Sequence, residues 1–278
     1  MATTQGVAMR SAARGLALVL VALYSLAPFL WQIVTSLKPA HELTSLPPLL
    51  PSRIEFASYL AIFSDSPLLR AVVNSLIVAG GTTLLALVIG ALAGFALARL
   101  RVRRRAAILA GVLVVSMFPP IATVSPLFLL LNALGLHDTL LALFLTYTTF
   151  SLPLAIWLLT NFFRSIPEEL YIASLVDGCT PFQSFYRVML PLDSPGLAAA
   201  ALLVFIFSWN EFLYALSFTA TAASRTVPVA IALFPGLHEV PWGDIAAASV
   251  VVTLPLLVLA MVFHRRIVDG LTAGAVKG

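Results

Sequence analysis

Six stretches of this chain, at about residues 15–37, 71–98, 106–132, 139–160, 197–218 and 244–263, are almost continuously apolar. Each is long enough to carry a helix across bilayer hydrocarbon, which takes about 20 residues. Inside lipid every backbone N–H and C=O must be paired within the protein, which leaves helices or a closed barrel. Barrel strands alternate over ten or so residues, and these runs do not. The expected fold is therefore all-α, a polytopic membrane protein with six transmembrane helices in a single domain spanning 1–278. Composition agrees: 60% of the residues are hydrophobic and 10% charged, whereas a soluble domain carries about 25% charged residues. Arg10 and Arg14 precede the first run as they would in a secretion signal. That run is longer than a signal's apolar region and no small-x-small cleavage site follows it, so it reads as the first span. Cys179 is the one cysteine, which excludes an internal disulfide.

The basic residues give the orientation. With the N-terminus inside, twelve of the sixteen Lys and Arg residues fall on inner segments, and only Lys38, Arg53, Arg70 and Arg225 on outer ones. The positive-inside rule then places both termini in the cytoplasm. A pI of about 9.6 is explained by this asymmetry without a nucleic-acid partner. Arg99, Arg101, Arg103, Arg104 and Arg105 are first of all a topology determinant; a headgroup or partner contact is the other reading.

Three connections are long enough for work of their own. The first outer loop, 38–70, carries Pro47, Pro48 and Pro51 and reads as a rigid, non-helical excursion. The third, 219–243, contains two turn signals, Phe234-Pro235-Gly236 and Pro241-Trp242-Gly243. The inner loop, 161–196, reads as helix–elbow–helix. Ser165 and Glu168 have the spacing of a capping box, and Leu170, Ala173 and Val176 form an apolar stripe. Gly178 suits the left-handed residue that ends a helix. Thr180 and Pro181 then open a second helix as N-cap and first residue; Phe182, Phe185 and Met189 share a face, and Pro191 is expected to stop it. Such a knob either docks into another protein or lies on the bilayer. Gly90 and Gly94 form a GxxxG that signals close helix packing or a moving pathway, and Pro119, Pro120 and Pro126 should kink the third span.

The chain offers no catalytic or metal site. A Walker A loop needs a lysine after a glycine-rich turn, and the only lysines, Lys38 and Lys277, stand in no such context. His41-Glu42 and His238-Glu239 lack the second histidine of HExxH, and no Gly-x-Ser-x-Gly occurs. Asn210-Glu211 is the most telling intramembrane polar pair, since a charge at mid-bilayer costs about 2.5–3.5 kcal/mol on insertion scales. It either lines a pathway for a hydroxyl-rich cargo or locks helices together.

The inner loop also carries a resemblance. Ile166-Pro167-Glu168-Glu169-Leu170-Tyr171-Ile172-Ala173-Ser174-Leu175-Val176-Asp177-Gly178, continued by Leu190-Pro191-Leu192, is similar to the EAA loop of permease subunits of binding-protein-dependent ABC importers. Ala173, Asp177, Gly178, Leu190 and Pro191 match the motif; Ser174 replaces a usual alanine. Ile172 stands where the signature opens with glutamate, with Glu168 and Glu169 one turn earlier. The tail Gly270-Leu271-Thr272-Ala273-Gly274-Ala275-Val276-Lys277-Gly278 resembles that of the MalG-like maltose/trehalose type, as do Ser208-Trp209-Asn210-Glu211-Phe212-Leu213, Leu37-Lys38-Pro39 and Leu134-Gly135-Leu136-His137-Asp138-Thr139.

The resemblance implies a non-catalytic permease subunit of a sugar importer in the prokaryotic inner membrane, carrying maltose/maltodextrin or trehalose. It implies no cofactor on this chain, ATP and Mg being used by a partner ATPase. It also implies a second homologous permease, an ATP-binding subunit dimer, an extracytoplasmic sugar-binding protein and membrane lipid as partners. Glu168, Glu169, Ala173, Ser174, Asp177, Gly178, Leu190 and Pro191 would couple to the ATPase, and Gly270, Thr272, Gly274 and Lys277 would reach it from the tail. Gly236, Leu237, His238 and Glu239 would touch the binding protein. Another cargo, such as glycerol phosphate or a different oligosaccharide, and a stand-alone secondary carrier are the alternative readings.

Overall fold

The computed structural model describes residues 2–43, 48–64, 67–234 and 241–275, with side chains described between residues 14 and 263. In chain order the helices are α1 (Ala2–Ser36), α2 (Ala57–Ser64), α3 (Leu68–Arg99), α4 (Arg105–Ser116), α5 (Pro120–Ala133) and α6 (Leu140–Ser165). There follow α7 (Glu168–Val176), α8 (Pro181–Ser184), a π turn (Phe185–Met189), α9 (Leu190–Leu192), α10 (Ser194–Trp209), α11 (Leu213–Phe218), α12 (Val227–Ala232) and α13 (Trp242–Ala275). No strand occurs among the described residues. The fold is all-α, as expected.

Four helical stretches are long and apolar enough to cross a membrane: Arg14–Ser36, Leu68–Arg99, Leu140–Ser165 and Trp242–Phe263. Two bent pairs bring the total to as many as six. The third expected span is one of them, α4 and α5 meeting at 86°. Pro119 is extended, with ψ 124°, as a residue preceding proline must be. The helix therefore ends before it and restarts at Pro120. Pro126, inside α5, causes no such break. The second pair joins α8–α9 to α10 at 77°, and the turn is Asp193, a buried residue.

Two expectations need correction. The first outer loop is not wholly non-helical: it contains α2 and a 3-10 turn at Ala40–Glu42. The fifth span is not continuous, because α10 stops at Trp209 and α11 starts at Leu213. The last helix runs on past its apolar stretch Trp242–Phe263 to Ala275, so Gly270, Thr272 and Gly274 are helical.

The chain divides into two compact units, residues 1–66 with 234–253, and 67–233 with 254–278. In the first, the Ser36 and Tyr59 hydroxyls share a hydrogen bond of 2.8 Å, and Lys38 Nζ donates to the Pro48 carbonyl at 2.6 Å. The Lys38 ammonium also lies 4.3 Å from the Trp31 ring centroid. The carboxylate of Glu42 accepts from the Ser52 hydroxyl and backbone N–H.

The second unit is built on α3 against α6. A Cβ added to Gly94 would lie 2.9 Å from the Thr160 nitrogen and 3.0 Å from the Leu159 carbonyl carbon. One added to Gly90 would lie 3.0 Å from the Ala155 Cβ. The GxxxG pair thus lets two backbones touch, as its packing reading required. One apolar cluster gathers Val78, Leu143, Tyr147, Tyr214 and Phe218. Beside it Asp138, at φ 60°, accepts from the Ala220 and Thr221 N–H groups and the Thr221 and Ser224 hydroxyls. Burial works against its charge. The hydrogen bonds from Ser224, Ala220 and Thr221 outweigh that and hold the carboxyl well below the usual range. A second cluster, around Phe95 and Phe163, roots the candidate site.

Candidate functional site

The inner loop folds into the expected elbow, by caps that are local in sequence. At the end of α7 the Gly178 N–H donates to Leu175 O at 3.1 Å and the Cys179 N–H to Ser174 O at 3.0 Å. With Gly178 at φ 87°, this is the full Schellman pattern. Across the bend, the Thr180 side chain accepts from the Gln183 N–H at 3.2 Å and the Gln183 side chain accepts from the Thr180 N–H at 2.9 Å. This reciprocal capping box starts α8, with Pro181 in its first turn.

Two local expectations fail here. Ser165 does not cap α7: it is the last residue of α6, and its hydroxyl donates to Phe162 O at 2.8 Å. Pro167 is the actual N-cap, and Ile166 before it is extended, so the Ser-x-x-Glu spacing straddles the break between α6 and α7. Pro191 does not stop the second helix either. The chain widens into the π turn, where the Leu190 N–H reaches Phe185 O. The broader turn makes room for the Pro191 ring, and helix continues to Leu192.

The elbow has an inner lock, a root and an outer face. The lock is Ser174, whose hydroxyl donates to Tyr171 O at 2.7 Å and bonds the Ser184 hydroxyl at 2.6 Å. Both serines are buried, so α7 and α8 are tied where alanine would leave a gap in the polar pairing. The root is Tyr171, Phe185 and Met189, buried with Phe95 of α3 and Phe163 of α6. The Phe95 ring lies 5.9, 5.8 and 5.1 Å from the Phe163, Tyr171 and Phe185 rings, the first two contacts edge-on as aromatic quadrupoles prefer. Arg99 adds a link that the sequence reading missed. Its guanidinium donates to Phe163 O at 2.5 Å and to Ile166 O, closing the carbonyl end of α6.

The outer face is apolar and uncovered. Val176 is 81% exposed and Phe182 64%; Leu170, Ile172 and Ala173 are exposed beside them. The expected Phe182–Phe185–Met189 face is thus split, its first member outward and the other two inward. Glu168 and Glu169 are exposed in the first turn of α7, as is Asp177 at its end. Leu190 is half-buried against the root cluster and Pro191 is exposed. Ser174 is the one expected contact residue that is sealed inside. A solid two-helix knob with a greasy outer face, rooted in two long helices, can receive a push and pass it on.

The Asn210–Glu211 pair sits in the break between α10 and α11. The Glu211 carboxylate accepts from the Tyr214 N–H at 2.9 Å and the Ala215 N–H at 3.1 Å, capping α11. Asn210 is exposed and donates to Ile206 O at 2.8 Å. An interrupted apolar helix with polar groups at the gap is a common way to place a polar site within a membrane. Gly236, Leu237, His238, Glu239 and Lys277 lie outside the described residues. Among the described residues no group of three or more His, Cys, Asp or Glu could hold a metal ion.

Comparison with known proteins places this geometry. Residues 86–272, which include the whole elbow, match the family described as "Binding-protein-dependent transport system inner membrane component". The chain is 48% identical to the trehalose transport system permease protein SugB of Mycobacterium tuberculosis, covering 93% of this chain and 95% of the relative. It is 42% identical to the trehalose/maltose transport system permease protein MalG of Thermococcus litoralis, covering 94% of each. With the sulfoquinovosyl glycerol transport system permease protein SmoH of Agrobacterium fabrum it shares 43%, over 90% and 88%. A solved bacterial ABC transporter involved in import of the polysaccharide alginate has a chain of the same fold, with TM-score 0.78 at 21% identity over 93% of this chain and 96% of that one.

Proposed function

The chain belongs to the binding-protein-dependent transport system inner membrane components, and from that premise we propose that its elbow is the seat of a separate ATPase and its cargo a disaccharide of the trehalose/maltose type. The family consists of multi-pass inner-membrane permease subunits of ATP-driven importers, non-catalytic themselves and coupled to a separate ATPase. That sets aside the stand-alone carrier. An ABC importer includes a second permease, an ATPase dimer and an external binding protein.

The observation that carries the coupling role is the uncovered apolar face at Val176 and Phe182 on an otherwise locked elbow. In this reading both termini and the elbow are cytoplasmic, and Glu168, Glu169, Ala173, Asp177 and Gly178 line or shape the ATPase seat. Leu190 and Pro191 belong to the elbow's return, and Ser174 holds the two helices together. ATPase closure moves the knob as a rigid body. The Phe95–Phe163 socket and the Arg99 link carry that motion into α3 and α6. Asn210 and Glu211 face the sugar at the break in the fifth span. Gly270, Thr272, Gly274 and Lys277 serve as contacts to the ATPase pair, and Gly236, Leu237, His238 and Glu239 as contacts to the binding protein.

The cargo rests on the names of the two relatives that carry trehalose or trehalose and maltose. The 43% relative that carries sulfoquinovosyl glycerol supports a second reading, in which the cargo is another small glycoside. The test is ATP-driven uptake by the complete transporter in proteoliposomes against radiolabelled trehalose, maltose and a glycosyl glycerol. Trehalose or maltose uptake supports the first reading; uptake of the glycosyl glycerol alone supports the second. ATP-dependent uptake of none of the three contradicts the sugar assignment.

A further inference from the structure

The arginine-rich turn between α3 and α4 is not consumed by the coupling role. Arg99, Arg101, Arg104 and Arg105 line a cleft of about 510 Å³ whose opposite wall includes Glu168. Only Arg99 is engaged, through its terminal nitrogen, and its Nε is buried without a partner among the described residues. Arg101, Arg104 and Arg105 are exposed. None of them forms an ion pair or side-chain hydrogen bond among the described residues, where the ion pairs are His41–Glu42 and Arg53–Glu55. Four guanidinium groups against the carboxylates of Glu168, in the cleft wall, and Glu169, which also acts on Arg99, leave the cleft cationic. Arg104 also holds a left-handed conformation at φ 61°, which costs a non-glycine residue about 1–2 kcal/mol. The chain thus keeps a charge where backbone geometry favours glycine.

What the cleft adjoins decides what fills it. It lies where one apolar helix ends, at Arg99, and another begins, at Arg105, which is headgroup depth for a protein that crosses the bilayer. No residue of α4 is buried, and Ile108, Leu113, Val114 and Val115 are exposed along it. A basic pocket at the end of membrane helices suits an anionic lipid headgroup, and the guanidinium fork matches phosphate oxygens in pairs. A free phosphate would satisfy the arginines but leave the apolar track empty.

We propose that the cleft between the Arg99–Arg105 turn and the start of α7 binds the phosphodiester headgroup of an anionic phospholipid, its acyl chains lying along α4. The lipid then sits between the α3–α4 turn and the first turn of α7, where the Glu168 carboxylate opposes its charge. The site requires only that α3 and α4 lie in a bilayer, not that the elbow seats an ATPase or that the cargo is a sugar.

The test uses the complete transporter in nanodiscs of equal parts phosphatidylcholine and phosphatidylglycerol, with retained lipid identified by native mass spectrometry. Wild type should retain phosphatidylglycerol in preference to phosphatidylcholine. Each basic residue near an anionic surface contributes about 1 kcal/mol, or about fivefold. The Arg101→Gln, Arg104→Gln, Arg105→Gln triple variant should therefore lose about a hundredfold in retention. The corresponding triple Lys variant keeps the charges that fix topology and loses only the forks; it should bind about tenfold more weakly than wild type. Glu168→Gln should raise retention severalfold. Equal retention by wild type and both triple variants overturns the proposal. So does displacement of the lipid by inorganic phosphate, which marks a free-anion site, or release of the ATPase subunits from the Lys variant with lipid retention unchanged, which marks a protein contact.

Discussion

Replacing Gly178 isolates the backbone geometry of the elbow from its contacts. The residue sits at φ 87°, and a Cβ added there meets nothing within 4 Å. Gly178→Ala therefore creates no clash, and its cost is the left-handed penalty of an ordinary residue, about 1–2 kcal/mol. That energy corresponds to roughly 5–30-fold in the population of the correctly bent elbow. Gly178→Asn should cost less, because asparagine tolerates this region. Gly178→Pro cannot reach the conformation, since proline holds φ near −65°, and it also removes the N–H that bonds Leu175 O. The assay is the complete transporter in proteoliposomes, with sugar uptake and ATP hydrolysis followed in parallel. Uptake per ATP should fall in the order Gly, Asn, Ala, Pro, reaching background for Pro while basal hydrolysis persists. Equal losses for Ala and Asn, or wild-type uptake by the Pro variant, would refute the reasoning.

Three further outcomes follow from named contacts. Ser174→Ala leaves the buried Ser184 hydroxyl without its partner and should destabilise by about 1–3 kcal/mol, whereas the Ser174→Ala, Ser184→Ala pair should recover much of that in a thermal-unfolding cycle. Gly94→Ala forces a methyl group onto the backbone of α6 and should cost about 1–3 kcal/mol, read as a lowered unfolding midpoint of the detergent-solubilised complex. Asp138→Asn removes a charged acceptor of several hydrogen bonds and should cost about 1–3 kcal/mol at neutral pH. Because the folded carboxyl is depressed, the stability that its charge gives is present above the usual carboxylate range, about pH 4, and is lost as pH falls through the folded value. The gap between Asp138→Asn and wild type should therefore narrow only in acid.

What could be read from sequence was what local chemistry dictates. Gly178, Thr180 and Pro181 announced the elbow because caps act within one turn of chain. Gly90 and Gly94 announced close packing because only glycine permits it. Ser165–Glu168 misled because Pro167 interrupts the spacing, and Pro191 because a π turn absorbs a proline that an α-helix would reject. The break at Asn210–Phe212 was masked by apolar residues on both sides, although Glu211 in an apolar run was itself the signal. The Phe95–Phe163 socket and the Arg99 link join residues 64 to 90 positions apart, and no periodicity within one helix reports on such pairings. The residues legible in the sequence thus cover most of the elbow's outer face and, of its root, only Phe185 and Met189.

The coupling claim is tested most directly by a cysteine at the outermost apolar position, Val176→Cys in a Cys179→Ser background, with a photoactivatable crosslinker in the complete transporter. The account predicts crosslinks to the ATPase subunit whose yield changes between nucleotide-free and ATP-bound states. Crosslinks only to lipid in both states would contradict it.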